Sequence, residues 1–197
     1  MNTGNAVIGR AAMLKLGALG ALSGAISWAI LNFGEQWGID FKVEGDGILL
    51  IPFSVFPGVV FGVLFAAVLV LARRTDALRG LGYILASSAG YVAAFHLAFN
   101  IISNMPHGGD SFIAYVVGGV PAGFLGSFLL GLAARFLFPL GGRTAFRQSI
   151  VVGALAGALL CLGKFDDPNG LGWLAFFVLW QGLYGASLAP LFSNRAG

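Results

Sequence analysis

With 197 residues, 58% of them hydrophobic and only 10% charged, and a mean hydropathy of +0.89, the chain is too apolar for a soluble globular domain. The net charge of +3 comes from basic residues scattered at the ends of apolar runs, which favours anionic lipid headgroups over nucleic acid as the partner. A single cysteine, Cys161, excludes an internal disulfide and, with no second thiol, makes a thiolate metal site an unsuitable reading.

Six apolar stretches follow in order, at residues 12–33, 48–72, 80–103, 112–138, 148–163 and 171–192. Each is near the length that crosses about 30 Å of hydrocarbon. They predict an all-α fold, a polytopic integral membrane bundle of six transmembrane helices forming one domain over residues 1–197. The first stretch follows Arg10 and Lys15 and has the layout of a secretory signal. Its length and the absence of a small-x-small pattern around Ile30, Leu31, Asn32 and Phe33 predict a retained helix instead. Lys15 lies at its start, where the stem follows lipid and the ammonium reaches the headgroups.

The second and fourth stretches carry Pro57 and Pro121, each eleven residues after an aspartate (Asp46, Asp110) and five before a glycine (Gly62, Gly126). A proline fits the first turn of a helix, so each is expected either to start a helix after a re-entrant segment or to kink a single one. The repeated spacing also suggests duplication of a helical hairpin, though little else in the two segments agrees. The fifth stretch ends on Gly163-Lys164, which lacks the spacing of a phosphate loop.

The charges between the stretches alternate in sign. Nine of the eleven basic residues (Arg10, Lys15, Arg73, Arg74, Arg79, Arg135, Arg143, Arg147, Arg195) fall on one side, and seven of the eight acidic ones (Glu35, Asp40, Glu44, Asp46, Asp110, Asp166, Asp167) on the other. The positive-inside bias predicts cytoplasmic N and C termini and a plasma (inner) membrane location.

Four glycine pairs stand four residues apart: Gly20 and Gly24, Gly58 and Gly62, Gly119 and Gly123, Gly153 and Gly157. Small residues let helix backbones approach closely in lipid, so these eight are expected at helix-packing faces, within the bundle or against another membrane subunit.

Polar groups concentrate on the third stretch, where Ser88, His96, Asn100 and Asn104 repeat at multiples of four and share one helical face. Polar side chains in a span usually turn toward the bundle interior. His96, Asn100 and Asn104, with Trp180 and Gln181 from the sixth stretch and Asp166, Asp167 and Asn169 nearby, are therefore the candidate lining of an outward-facing pocket. Interhelical hydrogen bonds that hold the bundle together are the competing explanation of the same residues.

The run Phe95, His96, Leu97, Ala98, Phe99, Asn100 resembles the His-x-x-x-Asn segment of rhomboid proteases, whose residues help bind an oxyanion. The Gly-x-Ser-Gly nucleophile and the histidine of a later span that such proteases need are missing, so no catalytic residue is assigned and the chain is expected not to be an enzyme. Two histidines without an intramembrane carboxylate suit neither a metal nor a haem, and no cofactor is expected. The size and six-helix plan are similar to the substrate-binding subunits of energy-coupling-factor transporters, a likeness of plan without a shared motif.

Two functions follow. One is a small solute-binding or solute-transport subunit with an outward-facing polar pocket, energised if at all by a partner. The other is a non-catalytic accessory or assembly subunit of a larger membrane complex, docking through glycine faces and the aromatic flanks Trp28, Trp37, Trp173 and Trp180.

Overall fold

The computed structural model describes residues 3–37, 50–72, 75–107, 111–138, 143–165 and 170–190. Over these the fold is all-helical: α1 (Thr3–Phe33), α2 (Leu50–Leu71), α3 (Ala77–Asn104), α4 (Phe112–Leu137), α5 (Arg143–Gly157) and α6 (Leu171–Ser187). Four segments are long and apolar enough to cross a membrane: Arg10–Phe33, Ala77–Asn104, Phe112–Leu137 and Arg143–Lys164. Large apolar side chains such as Leu71, Leu78, Leu85, Leu155 and Phe136 are exposed on the outside of the bundle, where lipid and not water is the fitting solvent.

Two of the helices begin where short polar side chains satisfy orphan backbone donors. Asp76 caps α3, its Oδ1 accepting from the Arg79 amide at 2.9 Å, and the Arg79 side chain returns an ion pair at 3.3 Å. Ser111 caps α4 through the Ala114 amide at 3.3 Å. Gly170, at φ +64°, turns the chain into α6; a Cβ there would meet the Asn32 side chain at 2.8 Å.

Pro57 and Pro121 lie inside continuous helices, α2 and α4, so neither starts a helix after a re-entrant segment. Their settings differ, Pro57 being buried in the bundle and Pro121 exposed. Helix ends also depart from the apolar runs. α1 begins at Thr3 and α5 at Arg143, because polar residues at a membrane surface continue a helix that hydropathy alone would end. Beyond Gly157 the fifth span narrows to a 3-10 helix over Ala158–Lys164, for which the sequence carries no recognisable signal.

Consecutive helices pack side by side and α1 closes the ring against α6. Glycine sets the distance at each close seam. A Cβ on Gly20 or Gly24 would run into the α6 backbone at Gln181 and Phe177, and one on Gly58 or Gly62 would meet the α3 backbone at Ser88 and Ile84. Gly119 and Gly123 face Gly153 and Gly157 reciprocally, so that α4 and α5 touch backbone to backbone. The core divides in two. Phe61, Phe65, Tyr83, Tyr91, Leu130, Phe138, Trp180, Tyr184 and Leu188 form part of the larger cluster; Ala98, Ile102, Ala114, Ala122 and Leu160 form the smaller one, near the α3–α4 turn.

Candidate functional site

A cavity of about 60 Å³ lies where the two clusters meet, bounded by α2 through α6. One wall is aromatic, made by Phe95 and Tyr91 of α3 and by Phe176, Phe177 and Trp180 of α6. The rest of the lining is mostly small, Gly119, Ala122 and Gly123 of α4, Gly157 of α5 and Ala98 of α3, with Pro57 and Leu160. A Cβ on Gly119, Gly123 or Gly157 would run into the facing backbone, so the cavity lies beside the α4–α5 seam. Tyr91 stands edge-on to Trp180, ring centroids 5.1 Å apart, and Trp180 stacks on Tyr184 at 5.9 Å, so the aromatic wall is braced from behind.

The Trp180 indole on this wall and the Tyr184 hydroxyl behind it are both engaged. Trp180 Nε1–H donates to the Gly153 carbonyl at 3.3 Å, and the Tyr184 hydroxyl donates to the Ser127 carbonyl at 3.2 Å. Both bonds tie α6 to its neighbours across the bundle. The Tyr91 hydroxyl, by contrast, is buried without a hydrogen-bond partner among the described residues.

The five residues expected to line a polar pocket are not brought together. Only Trp180 borders the cavity. His96, Asn100 and Asn104 lie on the exposed side of α3, and each finds a local partner: His96 Nδ1 is 2.9 Å from the Val92 carbonyl, while Asn104 Nδ2 donates to the Asn100 carbonyl at 2.8 Å and to its Oδ1 at 3.2 Å. Ser88, on the same helical face, donates to Ile84 O at 2.9 Å. The inward face of α3 is instead Tyr83, Ser87, Gly90, Tyr91, Ala98 and Ile102. Back-bonding to the preceding turn removes the need for an interior partner. At about 1.5 Å per residue, the 28 residues of α3 also span about 42 Å, so its polar end reaches beyond the hydrocarbon.

Gln181 is fully buried on α6, beside the α1 seam, and neither its Oε1 nor its Nε2 has a partner among the described residues. Asp110, Asp166, Asp167 and Asn169, expected near the pocket mouth, lie outside the described residues. So do Arg73, Arg74, Arg195 and the first-connection charges Asp40, Lys42, Glu44 and Asp46. Of the aromatic flanks, Trp37 is exposed, Trp180 is interior, Trp173 covers Gly163, and Trp28 donates to the Gly170 carbonyl at 2.9 Å. Among the described residues no three His, Cys, Asp or Glu side chains gather where a metal could sit.

No protein-family model matches the chain, and neither a curated protein nor a solved structure does. The lining residues that sequence reasoning missed, Tyr91, Ala98 and Phe176 among them, are apolar or aromatic, and in a chain this hydrophobic such residues carry no signal distinguishing a cavity wall from packed core; Gly119 and Gly123 were expected at a packing face only.

Proposed function

We propose that this chain is a six-span membrane protein that binds a small solute in the cavity between α3, α4 and α6. The observation that carries the reading is the cavity itself: five helices bound it, and close-packed glycines, not large side chains, form one of its walls. The charge bias of the connections supports cytoplasmic termini, which sets the cavity in the outer half of a plasma (inner) membrane. Among the described residues no acidic or basic side chain is on the cavity wall, so coupling to an ion gradient has no group to act through, and any energy for transport comes from a partner subunit.

Native mass spectrometry of protein released gently from its own membrane tests this. A retained small molecule that is lost in Ala98→Leu, which grows a side chain into the cavity, supports the solute reading. Retention of the same molecule by that variant, or a bare protein, contradicts it.

A second reading is favoured by the exposed stripe of His96, Asn100 and Asn104, polar side chains presented together on the outside of one helix. In an accessory subunit this stripe faces a larger membrane protein. Replacing His96 and Asn100 by leucine then dissociates a stoichiometric complex while leaving the cavity ligand in place. Glycine substitutions do not separate the two readings, because Gly24 and Gly157 already contact helices of the same chain.

A further inference from the structure

We infer that the solute is a compact hydrocarbon-like molecule, uncharged and held without a hydrogen bond to any side chain. This rests on the solute-binding reading and narrows it to a chemical class. Among the described lining residues no side chain carries a charge, an amide or a carboxyl, and only Trp180 and Tyr91 carry a polar atom at all. Neither atom serves a ligand. Trp180 Nε1–H donates to the Gly153 carbonyl at 3.3 Å, and the Tyr91 hydroxyl has less than 1 Å² of accessible surface. Even the carbonyl of the lining Gly123 accepts from the Ser127 hydroxyl at 2.7 Å. A donor or acceptor brought into this space would give up its water partners and find no side chain to replace them, whereas apolar surface gains by burial.

Water is an unsuitable occupant for the same reason. An ordered internal water makes about three hydrogen bonds, and cavities lined by apolar side chains stay dry. Size sets the remaining limit. A water needs roughly 10 to 15 Å³ of such space, so a cavity of about 60 Å³ holds about four to six water-sized groups, the bulk of a small ring or short branched chain. The rings of Phe95, Phe176 and Phe177 and the small surfaces of Ala98, Ala122 and Gly123 offer such a body dispersion contacts only.

The test uses the full-length protein in nanodiscs, titrated calorimetrically with three five-membered rings of nearly equal bulk: cyclopentane, tetrahydrofuran and pyrrolidine, the last a cation at neutral pH. Empty nanodiscs are subtracted to remove partitioning into lipid. Cyclopentane is expected to bind wild type about tenfold or more tightly than tetrahydrofuran, the loss for a polar atom buried without a partner. Pyrrolidine is expected not to bind. Ala98→Leu and Ala122→Leu, which add bulk at two separate lining positions, should each abolish cyclopentane binding, so the site is identified even where one of the two variants does not fold. Tetrahydrofuran bound as tightly as cyclopentane and lost in these variants, or pyrrolidine bound and lost in them, overturns the inference and leaves the solute-binding reading standing. Cyclopentane retained by both variants puts the ring outside the cavity and overturns the inference as well. Failure of all three rings to bind counts against the cavity as a solute site, and the inference falls with it.

Discussion

Toward the α2–α3 turn the space between the helices is filled by Phe65, Tyr83, Leu130, Phe138 and Leu188, none more than 3% exposed. Toward the α3–α4 turn the same space is bounded by Ala98, Ala122, Gly119 and Gly123, and a cavity remains. Both halves use glycine to draw helices together. At Gly58 and Gly62 the backbone of α3 fills the approach, and at Gly119 and Gly123 the backbone of α5 does; the halves differ in what borders the seam, large buried side chains in one and the small Ala98 and Ala122 in the other. Close backbone packing and free volume are thus compatible in one bundle, and the side chains beside a glycine seam decide whether space remains.

The contrast is broken most severely by removing bulk from the filled half. Leu130→Ala, at a side chain with no exposure, should cost about 2 to 5 kcal/mol and lower the thermal midpoint of the detergent-solubilised protein. Adding bulk sharpens it. Ala134→Leu in the filled half should cost about 1 to 3 kcal/mol, while Ala98→Leu beside the cavity should cost less than about 1 kcal/mol, because the added carbons have somewhere to go. Equal costs in paired thermal denaturation would mean that the halves are packed alike. Gly170→Ala, at φ +64° and against Asn32, should cost about 1 kcal/mol by disturbing the turn that leads into α6 and packs on α1, with no effect on the cavity. The smallest change has the opposite sign. Tyr91→Phe removes an unpaired buried hydroxyl and should leave the unliganded protein as stable as wild type or up to about 1 kcal/mol more so, read from the same melts.

Helices were legible in the sequence because hydropathy reports on lipid contact, and α3 and α4 lie close to their apolar runs at 80–103 and 112–138. The glycines four apart were legible for a related reason: a residue without a Cβ has few uses inside a helix besides close approach. The site was not legible. Grouping Ser88, His96, Asn100 and Asn104 on one face was geometrically right, but turning that face inward assumed that polar side chains lack partners on their own helix, and Val92, Ile84 and Asn100 supply them. The orientation of α3 follows instead from where Tyr83, Tyr91 and Gly90 pack, which depends on helices distant in sequence. The 3-10 end of the fifth span escaped for a similar reason: Trp173 and Gly172 of α6 press close against it at Gly163 and Leu162.

Xenon pressurisation of crystals of the full-length protein tests the division of the bundle most directly, since xenon enters apolar free volume and scatters anomalously. A xenon atom between Trp180 and Gly123, beside Ala98, is the predicted result, with none among Tyr83, Leu130 and Phe138. A cavity without xenon, or xenon held in the Tyr83 half, would contradict the account.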